Sequence, residues 1–272
     1  MMNTREVFRR MCLIRHFEYQ VAKAYEQKLC HGPIYLSVGQ EACAATVSTL
    51  TEGFAVFTQH RAHDAYLAHG GDPEKLRDEL LGLDSGCNRG RGGSACAGDL
   101  DIPMYGHHGF IGENVPLATG FAFASQRPAL VYVGDAGVEE DYALASFGFA
   151  ATHKVLVLFV CVDNDLSILT PIADRRHWDV VKVADAMGLT AASISDEPED
   201  IYDTIASLLG RLPALVNIKT CRHLWHAGVG TDGPPAWDRL KEFRPTVPGA
   251  DAIETDVQET VIKLWQEQLQ IP

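Results

Sequence analysis

Apolar residues recur along the chain at helical spacing near its start. Between residues 5 and 28 they return every three, four or seven positions, from Val7 through Ile14 to Tyr25. This spacing predicts an amphipathic helix. A second helix start is marked by Asp72-Pro73-Glu74, a capping Asp followed by Pro in the first turn, and this helix should run to about Leu83.

Three short and continuous apolar runs predict buried strands, at residues 129–133, 155–162 and 214–218. Composition and apolar spacing predict further helices at 113–126, at 138–151, near 178–187, at 198–209 and at about 251–269. Strands that alternate with helices are typical of a parallel sheet. We therefore expect an α/β fold with a mostly parallel sheet and helices on both faces.

Two glycine-rich segments interrupt these elements. Residues 84–98 form a long loop, and a Pro and Gly cluster at 228–235 breaks the chain before the last helix. The chain shows no internal repeat and no low-complexity linker. We expect one domain over residues 1–272, with a helical tail at about 236–272.

Composition narrows the function. The 272 residues carry a formal net charge of −13 with 46% hydrophobic residues, which is typical of a soluble globular protein. The acidic balance argues against nucleic-acid partners and against an anionic membrane surface. The longest apolar run, 155–162, is too short to span a bilayer, and the N-terminus lacks the apolar segment of a secretion signal.

The seven cysteines are odd in number and scattered, with no CxxC pair. Together with the missing secretion signal, this predicts reduced thiols and a cytoplasmic location. Cys87 and Cys96 are nine residues apart, and the close pairs that a zinc site requires are absent.

Candidate chemistry follows two of the predicted strands. Asp135 comes directly after strand 129–133, and Asn164 follows strand 155–162. If these strands are neighbours, the two side chains meet at one sheet edge, where ligands of parallel sheets bind. Their oxygens suit Mg²⁺ or Ca²⁺, and Gly134 and Gly137 would let the backbone approach a phosphate at the positive end of the next helix. The alternative is that both sequences are ordinary turns at strand ends.

Other nucleotide and nucleophile motifs are missing or out of context. Residues 228–233 match GxGxxG, but no strand leads into them and two prolines follow, so a dinucleotide fingerprint is rejected. The chain has no GxxxxGK[ST] loop and no GxSxG nucleophile elbow.

Six motifs in one order carry a family resemblance from about residue 5 to about residue 235. They are Gly39-Gln40-Glu41-Ala42, His60-Arg61-Ala62-His63, Gly90-Arg91-Gly92-Gly93-Ser94, Gly109-Phe110-Ile111-Gly112 before Val115-Pro116-Leu117, Gly134-Asp135-Ala136-Gly137 with the later Asn164, and Thr220-x-Arg222 with His226. With them the chain resembles the α subunit of a thiamine-diphosphate-dependent E1 component, the family of 2-oxo acid and acetoin dehydrogenases. The implied fold is the thiamine-diphosphate-binding fold.

The resemblance assigns roles to individual residues. It implies that Mg²⁺ is held by Asp135, Asn164 and the backbone carbonyl of Leu166, and that the metal bridges the two phosphates of thiamine diphosphate. The other residues implied to bind the cofactor are His60 and Arg61 at the diphosphate, Gly109 and Ile111 at the aminopyrimidine, Gly134, Ala136 and Gly137 in the diphosphate motif, and His226 near the reacting end. His226, His63 and Tyr35 are the implied catalytic or substrate-facing residues. Read without the resemblance, His60 and His63 are surface or helix-capping histidines.

The resemblance also implies partners. In two-subunit members of the family the Glu that activates the aminopyrimidine comes from the β chain, and nothing in this chain resembles a β chain. We therefore expect this polypeptide to be half of an active site in an α2β2 assembly, with a lipoyl or acyl carrier domain as acceptor. Glu113 is the alternative source of the acid, although the family has no such role at that position.

Departures from the family pattern leave the substrate open. Ala136 replaces the last Gly of the GDG motif, and Asp163 replaces the first Asn of the NN pair. Both changes should preserve metal binding. Tyr35 stands where many members have His, and Pro33 where pyruvate-type enzymes often have Phe. The substrate is therefore either a 2-oxo acid, or a ketose or acyloin whose short hydroxyacyl unit passes to a carrier protein. A third alternative is a non-catalytic regulatory subunit that keeps the fold.

Overall fold

Six strands form one fully parallel sheet in the computed structural model, which describes residues 1–269. The strands of the chain are β1 (Ala55–Phe57), β2 (Met104–Tyr105), β3 (Ala129–Gly134), β4 (Val157–Asp163), β5 (Leu166–Ser167), β6 (Thr170–Pro171), β7 (Thr190–Ser195) and β8 (Ala214–Lys219). The sheet has the order β2-β1-β3-β4-β8-β7, while β5 and β6 form a separate antiparallel hairpin. The predicted α/β class with a mostly parallel sheet is confirmed.

The three predicted strands are β3, β4 and β8. The β4 strand begins at Val157, two residues later than its apolar run. Strands β1, β2 and β7 were not predicted, because β1 and β2 have only three and two residues and the edge strand β7 is partly exposed and lacks a strongly apolar run.

The helices cover both faces of the sheet. They are α1 (Thr4–Glu26), α2 (Glu41–Val47), α3 (His63–Ala68), α4 (Pro73–Leu80), α5 (Asn114–Ser125), α6 (Asp141–His153), α7 (Ile172–Arg175), α8 (Val180–Met187), α9 (Pro198–Leu208), α10 (Arg239–Phe243) and α11 (Ala250–Leu269). The predicted helices are confirmed with shifts of at most three residues: α4 ends at Leu80 and not at Leu83, and α6 begins at Asp141 and not at Val138. The short helices α2, α3, α7 and α10 were not predicted.

Alternation along the strands builds two apolar layers. On β3, Leu130 and Tyr132 pack into the layer that contains α1 and α11, while Val131 and Val133 pack into the layer beneath α5 and α6. Because β3, β4 and β8 are buried on both faces, these strands need continuous apolar runs. Trp265 of α11 is 1% exposed, so this part of the predicted helical tail is packed into the core.

Helices α5 and α6 keep apolar side chains on their outer surfaces. Leu117, Phe123 and Phe149 are 40–47% exposed, and the rings of Phe123 and Phe149 contact each other with centroids 5.2 Å apart. In the part of the chain that the structure describes, no helix is both long and apolar enough to span a membrane. All seven cysteines are free thiols, as predicted.

Candidate functional site

The carboxyl ends of β3 and β4 meet at one cavity. The two strands pair directly, with Gly134 opposite Val162, so that Asp135 and Asn164 follow at the same sheet edge. Both residues line a cavity of about 180 Å³. The other lining residues are Gln59, His60, Arg61, Ile111, Gly134, Ala136, Gly137, Val162, Leu166, Ser167, Ile168, Arg222 and His226. The predicted convergence of Asp135 and Asn164 is confirmed.

Asn164 is oriented by its neighbours. Its Nδ2 donates to Gln40 Oε1 at 2.9 Å, and its Oδ1 accepts the Leu166 amide at 3.1 Å. The preceding Asp163 is tied to the sheet instead, because its Oδ2 accepts Asn217 Nδ2 at 2.9 Å. The departure at Asp163 thus leaves the Asn164 side chain at the cavity.

Asp135 is 2% exposed and already has a cationic neighbour. The Arg175 guanidinium forms an ion pair with its Oδ2, and Arg176 Nη1 donates to the Asp135 carbonyl at 2.8 Å. Burial raises the pKa of the Asp135 carboxyl, while Arg175 acts in the opposite direction.

Two arginines, Arg61 and Arg222, line the same cavity. Arg61 is 5% exposed and donates to the Leu36 carbonyl. Burial, together with the neighbouring Arg222, lowers the pKa of Arg61 to about 10. Arg222 contacts Asp232 and the Ile168 carbonyl at 2.7 Å each, and its Nη1 has no hydrogen-bond partner among the described residues. Such a pair favours an anionic ligand.

A cluster of aromatic and imidazole rings adjoins the arginines. The His60 ring centroid lies 5.3 Å from that of His226, and the Tyr35 ring is 4.8 and 5.2 Å from the two. Burial and the Arg61 charge lower the pKa of His226 to about 4, and the same causes lower the pKa of His60. Both imidazoles are therefore neutral at pH 7. The Nδ1 atom of His60 is buried without a partner among the described residues.

Behind His60 lies an acid–imidazole group that sequence reasoning did not place. The His107 ring centroid is 6.1 Å from that of His60, and His107 Nδ1 lies 3.0 Å from Glu113 Oε1. The other Glu113 oxygen lies 2.5 Å from His108 Nδ1. Because Glu113 faces these two histidines and is not among the cavity-lining residues, its position gives no support to Glu113 as a replacement for the partner's acid.

Three predicted site residues do not line the cavity: Tyr35, whose ring packs on His60 and His226, His63 and Gly109. His63 is fully buried, with Nδ1 3.0 Å from Glu18 Oε2 and Nε2 3.0 Å from Ser94 Oγ. Both of its ring nitrogens are thus engaged in the interior, and its catalytic role stays a prediction. Gly109 lies in the exposed turn before Ile111. Ile111 lines the cavity, whereas Gly109 does not.

The helix that follows Asp135 starts three residues later than predicted. The chain first makes a 3₁₀ turn, Gly137–Glu139, and α6 begins at Asp141. The turn packs tightly, since a Cβ on Gly112 would lie 2.5 Å from the Gly137 carbonyl oxygen. The position of a phosphate at the positive end of this helix stays a prediction.

The cavity fits a metal-bound diphosphate. It offers one carboxylate, one amide oxygen and unpartnered cationic or imidazole donors, a set suited to Mg²⁺ with phosphate oxygens as further ligands. Within residues 1–269 no group of three or more His, Cys, Asp or Glu side chains could hold a metal. A metal here would therefore need further oxygens, from the backbone, from water or from a bound ligand, in addition to those of Asp135 and Asn164.

A larger cavity elsewhere in the molecule lacks comparable chemistry. It measures about 620 Å³ and lies at the opposite, amino-terminal ends of β1 and β2. Its Arg10 is already bonded to Glu6 at 2.8 Å and to Ser48 at 2.7 Å. The GxGxxG-like segment 228–233 lies in irregular chain without a flanking strand or helix, so its rejection as a dinucleotide fingerprint is confirmed.

Comparison with known proteins decides the family. Residues 9–203 match the model of the dehydrogenase E1 component family. The chain belongs to this family. As a dehydrogenase E1 component, it is a thiamine-diphosphate-dependent enzyme of the α-subunit type, and the resemblance seen in its motifs is confirmed.

Two curated relatives show how far the similarity extends. The pyruvate dehydrogenase E1 component subunit alpha of Rickettsia bellii is 27% identical over 269 residues, covering 94% of this chain and 81% of the relative. The corresponding subunit of Zymomonas mobilis is 34% identical over 238 residues, covering 82% of this chain and 67% of the relative.

Among solved structures, the E1 component resembles transketolases. The transketolase from Leishmania mexicana matches with a TM-score of 0.61 at 14% identity, over 98% of this chain. The chain spans only 46% of that protein. At this identity the similarity shows the fold alone, which is that of thiamine-diphosphate enzymes.

Sequence reasoning missed Arg222 and Gln40 as site residues. Arg222 belongs to the Thr220-x-Arg222 motif, so that motif was the available signal. Gln40 stands in the Gly39–Ala42 motif, and only the fold brings it to Asn164, 124 positions later.

Proposed function

We propose that this E1 component is the α subunit of a two-subunit enzyme that uses thiamine diphosphate and Mg²⁺ to decarboxylate a 2-oxo acid. It then passes the acyl unit to a lipoyl or other carrier thiol. One observation carries the proposal: the oxygens of Asp135 and Asn164 and the guanidinium groups of Arg61 and Arg222 line a single cavity.

Different residues would bind different parts of the cofactor. Asp135, Asn164 and the Leu166 carbonyl would hold the metal, and Arg61 and Arg222 would neutralise the diphosphate. Gly134, Ala136 and Gly137 form the adjoining backbone, and Ile111 would contact the aminopyrimidine. When bound, thiamine diphosphate supplies the electron sink for cleaving the bond next to a carbonyl.

The ring cluster has a separate role. His226 and His60 are neutral at pH 7, so each can donate one hydrogen bond and accept another, which allows proton movement without an uncompensated charge. The Tyr35 ring packs against both imidazoles. We expect these three side chains to face the substrate, with His63 fixing the inner wall through Ser94.

A β subunit is proposed as the partner that completes the site. Membership among E1 α subunits supports such a partner, and the cavity of about 180 Å³ is smaller than typical whole ligand pockets. The partner would supply the activating Glu, in an α2β2 assembly. The free cysteines support the proposed cytoplasmic location.

Cofactor titration tests this proposal. Thiamine diphosphate is titrated by calorimetry with and without Mg²⁺, on the chain alone and with its β partner. We expect binding that requires Mg²⁺ and that is lost in Asp135→Ala. Metal-independent binding, or binding unaffected by that substitution, would contradict the metal site.

Turnover separates the half-site prediction from a complete enzyme. The chain with and without its β partner is given 2-oxo acids and an artificial electron acceptor. We expect decarboxylation only in the assembled enzyme. Robust turnover by this chain alone would refute the half-site.

A second candidate function is favoured by the ring cluster. Neutral imidazoles and a phenol near the reacting end suit a substrate with hydroxyl groups, such as a ketose or acyloin, whose hydroxyacyl unit would pass to an acyl carrier protein. Pyruvate and a ketose phosphate are compared at equal concentration, and preference for the ketose selects this candidate.

A non-catalytic regulatory role is the remaining alternative. The retained Asp135, Asn164, Arg61 and His226 speak against it, because a subunit without catalysis has no need of a metal and diphosphate site. The assembled enzyme decides the matter: full turnover with Asp135→Ala in this chain would establish the regulatory role.

A further inference from the structure

The carboxylate assigned to the metal is occupied by a cation of the chain itself. Arg175, the last residue of α7, forms an ion pair with Asp135 Oδ2 through its Nη2 atom. A guanidinium and a metal ion on this same oxygen would lie only a few ångströms apart and would repel each other strongly in a buried site. A metal that takes Asp135 Oδ2 must therefore displace Arg175, and a metal on the other oxygen, Oδ1, would still be repelled by the Arg175 charge.

Arg175 has a second anionic contact within reach. Its Nε lies 3.1 Å from Glu139 Oε1 and 3.3 Å from Glu139 Oε2. Arg176 also contacts Glu139, at 3.2 Å, and stacks on the Trp178 ring at 4.6 Å. When Asp135 is taken by a metal, Arg175 can keep its charge paired with Glu139 after a change of side-chain rotamer.

The same arginine links the metal site to the loop that carries Leu166. Arg175 Nη1 donates to the Thr170 carbonyl in the β5–β6 hairpin, and Leu166 at the start of that hairpin lines the cavity. Asp165, just before the hairpin, has a positive φ of 65°. Its backbone carbonyl accepts a hydrogen bond from the Ile172 amide at the other end of the hairpin. Moving Arg175 would therefore release one of the contacts that hold this loop.

We propose that Arg175 is a built-in competitor of the metal, which occupies Asp135 in the metal-free chain and moves to Glu139 when a divalent cation binds. It thereby sets the apparent metal affinity of the subunit. The proposal rests on the proposed function, since it assigns Asp135 to the metal. The apparent dissociation constant is then the intrinsic one divided by the fraction of molecules in which Arg175 leaves the carboxylate free.

Metal binding without the cofactor tests the proposal. Mn²⁺ is titrated into the purified full chain and followed by electron paramagnetic resonance, in the absence of thiamine diphosphate. In Arg175→Gln, which retains polarity but not charge, we expect the apparent Kd for Mn²⁺ to fall about tenfold. In Glu139→Gln, which removes the alternative partner of Arg175, we expect weaker Mn²⁺ binding. Arg211→Gln on the exposed surface is the matched control and should leave Kd unchanged.

Two further variants keep the outcomes distinct. Arg175→Lys retains a positive charge and should bind Mn²⁺ with intermediate affinity, and circular dichroism checks that every variant is folded. Unchanged or weaker Mn²⁺ binding in a folded Arg175→Gln would overturn the competitor role. Mn²⁺ binding that survives Asp135→Asn would overturn the metal site itself, and with it the proposed function.

Discussion

His107 Nδ1 lies 3.0 Å from Glu113 Oε1, and both side chains are 6% exposed. This buried pair stands between the exposed His108 and the ring of His60 at the cavity. Residues His107, His108 and Glu113 all lie in or next to the turn whose Ile111 lines the site. The pair therefore gives the site a carboxylate that acts on imidazoles and not directly on a ligand.

Replacing Glu113 should lower the pKa of His107. Burial already lowers this pKa, while the charge of Glu113 and its hydrogen bond raise it, so Glu113→Gln removes the charge that favours the imidazolium. Histidine side-chain NMR over a pH series measures the change. Glu52→Gln on the exposed surface serves as control. An unchanged His107 titration in Glu113→Gln would show that the pair is not electrostatically coupled.

Acid should destabilise the fold through His69. Its Nε2 lies 3.1 Å from the Tyr132 hydroxyl, and burial lowers the pKa of His69 from 6.5 to about 4. Between those values the unfolded chain binds a proton that the folded chain does not, so stability is lost as pH falls from about 6.5 to about 4. The loss over this whole pH range is about 3 kcal/mol. Urea denaturation at pH 7, 6 and 5 should show this loss, and a variant His69→Gln should have a flatter pH dependence. An equal slope in both proteins would contradict the assignment.

Glu41 should prove structural although it belongs to a family motif. It is fully buried, and its Oε2 accepts Arg15 Nη2 at 3.0 Å while its Oε1 accepts the Gly39 amide at 2.9 Å. Glu41→Ala leaves the buried Arg15 charge without this partner and should cost about 3–5 kcal/mol. Thermal and urea unfolding measure the loss. The double variant Arg15→Met/Glu41→Leu removes both charges and should recover much of the stability.

Arg61 should decide the affinity for the diphosphate. Arg61→Ala is expected to weaken binding of thiamine diphosphate in Mg²⁺ by about 10- to 100-fold, because a buried charge-assisted contact is lost. Arg61→Lys keeps the charge and should recover part of the affinity. Calorimetry of the folded variants measures the change, with Arg211→Ala as the exposed control. Equal affinity in Arg61→Ala would place the diphosphate elsewhere.

The parts of the fold that were predicted are those with a strong local pattern. The buried strands β3, β4 and β8 are continuous apolar runs, and the long helix α1 repeats its apolar residues regularly. The edge strand β7 reads Thr-Ala-Ala-Ser-Ile-Ser and is held by pairing with β8, a contact that its own sequence does not reveal. The order of β2, β1 and β3 likewise depends on pairing between distant segments.

In the candidate site, too, the residues with a clear local pattern were predicted and the others were missed. Asp135 and Asn164 were predicted because they follow strands, and adjacent parallel strands bring their carboxyl ends together. Arg175 was missed because its contact with Asp135 crosses 40 positions and depends on a four-residue helix that has no periodic signal. The helix after Asp135 starts three residues later than predicted, because the chain makes a 3₁₀ turn before α6. Most of the site features that the sequence did not predict thus lie in short or irregular segments.

The positive cavity of Arg61 and Arg222 lies inside a chain of net charge −13. At long range the acidic surface attracts a divalent cation and repels a free diphosphate, while at contact the arginines attract the diphosphate. At 0.1 M salt, the repulsion between charges more than about 10 Å apart is largely screened, whereas the buried contacts are screened much less. Loading should therefore follow an order, metal before diphosphate. The association rate of a metal-free anionic ligand should rise with ionic strength, the reverse of ordinary electrostatic steering.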